Sequence, residues 1–560
     1  MINLHHNLLR RFAVPAVLLL ALLPAIATAQ SHQDWSYNLS VYEVNVRQYT
    51  AAGTFAAFET HLDRLQEMGA GILWFMPIHP IGQRNRLGSL GSYYSVRDYL
   101  GVNPEFGTLD DFKMLVQKIH DRGMYVIMDW VANHTSWDNN LTTEHPEWYV
   151  KDANGNFIPP PGTNWSDVIE LNFAQQGLRN YMINAMKFWV EEVGVDGFRC
   201  DAVSFVPQDF WREAITQLKA VKPDIFMLAE GDGRAWHDAG FDMTFAWGLY
   251  GFGNGVLKRI VDRVDNAVSL NGYATAERTN YPASAYRLYF TSNHDENSWH
   301  GTTAELFGDA AEMFAVLTAT FNGLPLIYSG QEAGLDKRLR FFDKDQILWR
   351  DHPNADLYKT LLHLKRQNRA LWNGGHGSRL QRVLTTNNAD IFAFVREKDG
   401  DKIFAALNLS DRVQSVTLNG TAFIGAYRNV FTGDTVTLAA EAPLVLPAWG
   451  YIVYEAGDAN TSVSDEALPE AFVLAQNYPN PFKSVTKISY VLAAPAEVRL
   501  AIFDLLGREV MILVSGKKPA GAHEITLSAS DLPDGVYVYK LEAGNRVEAK
   551  FLTVLRQAEN

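Results

Sequence analysis

Val195-Asp196-Gly197-Phe198-Arg199-Cys200-Asp201 is a short, mostly apolar run that ends on an acid. An amphipathic stretch at 174–193 leads into it, and another at 210–222 leads out towards a second apolar run, 225–229, which ends on Glu230. The same alternation extends in both directions. Residues 41–46, 72–76, 125–128, 286–291 and 324–328 read as strands, with a further one near 241–244; residues 55–68, 109–122 and 309–321 read as helices. Repeated strand-then-helix argues for a parallel sheet with crossover helices. No Gly-rich phosphate loop follows any strand, which counts against an open doubly wound sheet. The pattern therefore predicts an α/β fold, a closed (β/α)8 barrel of the TIM type.

The barrel is expected over 30–378, with a small inserted subdomain after the third strand at about 135–172, where Gly, Pro and Asn turns cluster. A small antiparallel β domain is expected at 379–456, then a polar linker at 457–469 and a second, β-sandwich-like tail domain at 470–560. At the start, Arg10-Arg11, the apolar run 12–26 and Ala27-Thr28-Ala29 have the parts of a secretory signal peptide, which gives a leader at 1–29. Pro15 and Pro24 interrupt the run, which is short for a membrane span. No later apolar run is long enough to span a membrane, so the mature chain is expected to lack a transmembrane segment.

The formal net charge of −14 would repel a phosphate backbone, so nucleic acid is not an expected partner. Cys200 is the single cysteine, which excludes an intrachain disulfide and a CxxC redox site. Strand alternation turns it away from the face that carries Arg199 and Asp201, so a packed thiol is expected.

In a (β/α)8 barrel, ionisable residues at the C-terminal ends of strands are candidates for chemistry. Asp129, Asp201, Glu230 and Asp295 all stand there. Three convergent carboxylates suit glycosidic cleavage, in which one attacks the anomeric carbon and another protonates the leaving oxygen. Arg199, two positions before Asp201, projects to the same face and is expected to hold it ionised.

The residues Asp129-Trp130-Val131-Ala132-Asn133-His134, Gly197-Phe198-Arg199-Cys200-Asp201-Ala202-Val203, Leu228-Ala229-Glu230 and Ser292-Asn293-His294-Asp295 resemble, in order and spacing, the four regions of the α-amylase family, glycoside hydrolase family 13. The resemblance covers about 35–456. It implies Asp201 as nucleophile, Glu230 as general acid/base and Asp295 as transition-state stabiliser. It implies Tyr94, His134, Arg199 and His294 as substrate-binding residues and Asp129 as structural support. The substrate implied is an α-glucan oligo- or polysaccharide, cleaved with retention and with no cofactor for the chemistry. A transglycosylase or a non-catalytic glucan-binding protein are the alternatives. Asn133 and Glu170 match places of calcium ligands, so a structural calcium is an expectation of the resemblance. Ser204 and Phe205 depart from the Lys-His pair common in α-amylases, which puts the acceptor side in question. Asp152-Ala153-Asn154-Gly155-Asn156 starts like a calcium loop, but Phe157 stands where Gly is required, so a plain turn is expected.

The motifs at 477–482, 502–507 and 532–537 resemble the C-terminal sorting domain of the bacterial type IX secretion system. This implies the secretion machinery as a partner and a secreted or cell-surface location.

Overall fold

The computed structural model describes residues 32–456, 472–477, 480, 482–492, 495–504, 508–543 and 546–555. The leader at 1–29 and the linker at 457–469 lie outside the described residues.

Eight parallel strands close into a barrel. They are β1 (Val41–Val44), β2 (Ile72–Phe75), β3 (Tyr125–Trp130), β6 (Gly197–Cys200), β7 (Phe226–Ala229), β8 (Met243–Phe245), β9 (Tyr286–Tyr289) and β10 (Leu324–Tyr328). The intervening pair β4 (His134–Ser136) and β5 (Val168–Glu170) forms an antiparallel ribbon above β3. Closure comes from β1, which pairs with β2 on one side and β10 on the other. The open sheet is thereby excluded.

Local chemistry sets the elements. Thr108 accepts from Asp111 N–H at 3.1 Å while Asp111 returns a bond to the Thr108 N–H, a capping box that starts the helix Leu109–His120. The helix expected over 55–68 is two, Phe55–Glu59 and Leu62–Met68. The chain tightens between them, where His61 N–H donates to Phe58 O at 2.9 Å and the His61 ring packs against Tyr49 and Trp349. The helix expected to run to Val193 is α-helical only over Gln176–Phe188 and widens into a π turn, Trp189–Val193. Buried Trp189 donates there to the Tyr99 carbonyl at 2.8 Å. Gly197 is required by contact: a Cβ there would stand 1.9 Å from the Phe226 carbonyl oxygen of the neighbouring strand.

Eight antiparallel strands follow over 381–456. Phe392, Phe394, Ile403, Leu407 and Val453 of this sheet belong to the same core as the barrel, whereas Val383, Ile391, Val416 and Leu418 build a core of its own. The tail has a three-stranded and a four-stranded sheet. Ile488 and Tyr490 of one sheet pack with Leu500, Tyr539 and Leu552 of the other, and this core is separate from the barrel's. Asp152–Asn156 is a turn: the Asp152 carboxylate accepts from the N–H groups of Asn154 and Asn156 at 2.9 and 2.8 Å. Among the described residues, no helix is long and apolar enough to cross a membrane.

Candidate active site

The register of the barrel decides which side chains meet. Asp129 on β3 pairs with Arg199 on β6, and both project inward. Cys200 pairs with Ala229, so the residues one step beyond, Asp201 and Glu230, leave adjacent strands side by side. Arg199 is buried among them. Its Nη1 donates to Asp129 Oδ1 and Asp201 Oδ1, both at 2.9 Å, and its Nη2 lies 2.9 Å from Glu230 Oε1. The guanidinium stands 5.0 Å from the Trp74 ring centre, a cation–π contact that needs no further acid.

The chain turns sharply after Asp201. Ala202 has φ +41°, a left-handed conformation that disfavours a side chain. The turn points the Ala202 N–H at Glu230 Oε2, 2.7 Å away. Backbone strain here fixes the orientation of a carboxyl group on the next strand.

On the opposite wall, His294 and Asp295 follow β9. His294 Nδ1 lies 2.5 Å from Glu43 Oε1 on β1, and its Nε2 lies 2.8 Å from the Tyr94 hydroxyl and 3.3 Å from Asp295 Oδ2. Tyr94 in turn donates to Asp129 Oδ2 at 3.1 Å, as does Trp74 Nε1 at 3.1 Å. A continuous polar network thus runs from Glu43 through His294, Tyr94, Asp129 and Arg199 to Asp201 and Glu230.

Burial dominates the electrostatics. It pushes the Glu230 carboxyl up to about 7; Arg199 opposes the rise, and the charges of Asp201 and Asp295 add to it. The neighbouring acids are therefore the smaller cause, burial the larger. Burial also raises Asp201 and Asp129, against the pull of Arg199. Arg199 was expected to hold Asp201 ionised; it pulls in that direction, but burial outweighs it. Asp295 goes the other way. Burial would raise it, but the His294 cation, Arg199 and Trp299 leave it below the ordinary aspartate range. His294 is held protonated, because Asp295 and Glu43 outweigh its burial. His134, buried and without a carboxylate partner, drops to about 4 and is neutral. The barrel rim thus contains one carboxyl, Glu230, that titrates near neutrality and another, Asp295, that stays ionised.

A family model described as "Alpha amylase, catalytic domain" matches residues 41–401, well over half of the chain.

The chain belongs to the α-amylase family.

Two further models match C-terminal parts of this α-amylase-family protein: "Maltogenic Amylase, C-terminal domain" over 381–453 and "Secretion system C-terminal sorting domain" over 476–554. The chain is 29% identical to a noncanonic maltogenic alpha-amylase from Thermotoga neapolitana, with a TM-score of 0.68 over 75% of this chain and 98% of that one. It is 30% identical to an alpha-amylase from Lactobacillus plantarum, with a TM-score of 0.67 over 75% of this chain and 99% of that one. A cyclomaltodextrinase from a Bacillus species is 27% identical over 62% of this chain, which spans 64% of that protein's length.

Among the residues expected at the site, Asp129, Asp201, Glu230, Asp295, Tyr94, Arg199 and His294 come together at the rim of this α-amylase-family barrel. His134 stands at the start of β4, and the Trp165 ring lies 5.4 Å from it. Asn133 lies beside β5, its carbonyl accepting from Leu171 N–H at 3.0 Å. Glu170 is half-buried, its carboxyl raised by burial, and Asp167 Oδ2 is buried without a hydrogen-bond partner. These hard oxygens suit calcium in kind, but calcium takes roughly six to eight. Among the described residues, no group of three His, Cys, Asp or Glu side chains is placed to hold a metal.

Glu43, Trp165 and Phe341 are among the contributors not singled out from the sequence. Glu43 was legible only as a charge inside an apolar strand, Val41-Tyr42-Glu43-Val44. Trp165 sits in the insertion and packs 5.6 Å from Phe205, which is 41% exposed. Phe341, from the segment after β10, stacks 6.2 Å from Tyr94. The last two carry no local signal beyond being aromatic.

The Glu230 environment gives a prediction. With Glu230 as the expected acid catalyst, which works only while protonated, kcat/KM should fall as pH rises through about 7. Glu230→Gln should abolish that limb. It should also damage natural glucans far more than substrates with an acidic phenol leaving group, in the glycosylation step. The raised pKa costs stability too. Between 4.5 and about 7 the unfolded chain releases a proton that the folded chain keeps, so stability falls as pH rises through that window. Glu230→Gln should therefore raise the Tm at pH 8 while lowering turnover; calorimetry and phenyl-glycoside kinetics check both.

Proposed function

We propose that this protein is an exported retaining hydrolase of α-glucosidic bonds in starch-like α-glucans or maltodextrins. The observation that carries this reading is the placement of Asp201 and Glu230 at the ends of adjacent strands, gripped by one guanidinium. Neighbouring strands lie about 4.8 Å apart, close to the ~5–5.5 Å separation of a retaining pair.

In the first step, an Asp201 oxygen attacks the anomeric carbon as the glycosidic bond breaks, and Glu230 gives its proton to the leaving oxygen. A β-linked glycosyl-enzyme results. Ionised Asp295 faces the oxocarbenium-like transition state, and the His294 cation and neutral His134 bind hydroxyls of the same sugar. Tyr94 offers its ring face. In the second step, Glu230, now a carboxylate, takes a proton from water as that water attacks the same carbon, and Asp201 departs. Two inversions restore the α configuration.

Proton NMR of the anomeric region in the first minutes of hydrolysis tests this. The α-anomer should appear first; initial β-anomer would overturn both the retaining mechanism and the role of Asp201. A structural calcium near Asn133 and Glu170 is a separate proposal, and no step above passes through it. A fall in Tm with EDTA, reversed by calcium, supports it, and an unchanged Tm removes it.

Export rests on the leader at 1–29 and on the match of 476–554 to a sorting domain. The strand-end acids all lie before the tail, whose core is separate from the barrel's. A chain ending near Gly457 should fold and cleave glucan but fail to leave the native host. Normal export of that truncated chain would refute the sorting role.

A further inference from the structure

On the side of the barrel where β10 begins, away from the carboxylate rim, a cleft of about 320 Å3 opens between the barrel and the C-terminal sheet. It lies among the helix Ala267–Asn280, the turn at Asn322 and the first residues of the sheet. Arg278, Arg379 and Arg382 line it, with Asn271, Asn322 and Thr275, and no carboxylate does. A smaller adjoining hollow adds buried Arg396 and contains one acid, Glu277. Glu277 is already engaged, bound to Arg287 at 2.7 Å and accepting from the Tyr289 hydroxyl at 3.2 Å.

Of the four other arginines, three give their donors to backbone carbonyls, and Arg382 also lies 4.5 Å from the Phe392 ring centre. Arg379 donates to the carbonyls of Arg278 and Tyr281 at 2.8 and 3.3 Å. Arg382 donates to the carbonyls of Val383, Ala393 and Ile391. Arg396 donates to those of Ser378, Thr320, Phe321 and Trp372. The Arg278 guanidinium has no hydrogen bond or ion pair among the described residues. In a chain of net charge −14, a cluster of cations without an acid of its own is out of keeping with the rest of the surface. Like charges gathered in a partly buried cleft repel, and an anion seated among them relieves that repulsion.

We propose that this cleft is a binding site for a phosphate-class oxyanion, held by Arg278 and Arg379 with support from Arg382. Guanidinium forks match tetrahedral oxyanions, which accept from several edges at once. The amides of Asn271 and Asn322 add neutral donors, whereas the Thr275 hydroxyl is already given to the Asn271 carbonyl at 2.9 Å. Two sources share this chemistry, free inorganic phosphate and a phosphate monoester carried on a sugar.

Titration calorimetry of the full chain with inorganic phosphate and with glucose 6-phosphate, at fixed ionic strength, tests it. Acetate serves as the control. The expected result is saturable binding of phosphate, of the ester or of both, at one site per chain, with acetate at least tenfold weaker. Arg278→Gln should weaken it at least tenfold while glucan hydrolysis is unchanged. Arg278 is exposed and unpaired, so this variant keeps the fold. Tighter binding of glucose 6-phosphate identifies the ester as the source, and equal or tighter binding of phosphate identifies the free anion. Absence of saturable binding by either probe, equal binding of acetate, or unaltered binding by Arg278→Gln would overturn the proposal.

Discussion

Asp201→Asn should lower turnover by several orders of magnitude while glucan still binds. The substitution keeps the shape of the side chain and removes the charge that attacks the anomeric carbon, and nucleophile loss removes a covalent route that binding alone does not replace. Arg199 Nη1 can still donate to an amide oxygen at the Asp201 Oδ1 position, so the local geometry has a means of surviving. Glu230 loses one of the charges that raises it, so its carboxyl should move down from about 7 and the residual activity should show a more acidic alkaline limb. Steady-state kinetics on protein free of contaminating amylase, with glucan binding by calorimetry, provide the check. Near-native turnover would sink the assignment.

Arg199→Leu should give the largest loss of stability. The guanidinium is 1% exposed and faces Asp129, Asp201 and Glu230, each within 2.9 Å. Removing it strands buried carboxylates, and breaking a buried ion pair costs about 3–5 kcal/mol. In a domain of this size that corresponds to a Tm lower by roughly 5 °C. The sign with pH follows from the same groups. Without Arg199 the three carboxyls titrate still higher, so the variant should regain stability relative to wild type as pH falls and they protonate. Arg199→Lys, which keeps one charge but loses the fork, should fall between the two. A Tm within about 1 °C of wild type at pH 7 for Arg199→Leu would show that the network is not a stabilising centre. Either substitution should also depress activity, because Asp201 and Glu230 lose their shared anchor.

Much of the barrel was legible because its signals are local. A strand shows as an apolar run whether or not its neighbour is known: Gly197–Cys200 lies within the run that ends on Asp201, and Leu324–Tyr328 has the bounds expected of it. Side-chain parity is equally local: Arg199 and Asp201 share a face because alternation has a period of two, and buried Cys200 lies outside that cluster. The break at Thr60-His61 and the π turn at Trp189–Val193 were not legible, since amphipathic periodicity continues across both and tertiary packing interrupts them.

The sequence by itself determined the order of strands and helices, the acids at strand ends and the face each one takes, because these depend on residues a few positions apart. Only the tertiary structure decided what those acids meet. Barrel closure sets β1 beside β10, which brings Glu43 to His294 across 251 positions of chain. Strand register places one guanidinium against three carboxylates, and burial, a property of the whole packed core, raises Glu230 more than any neighbouring charge does. The arginine cleft arises the same way, from a helix, a turn and a strand that meet only once the sheet has docked on the barrel. Such proximities carry no periodic trace in the chain, because the separation of two residues in sequence does not fix their distance once a closed fold has chosen its neighbours.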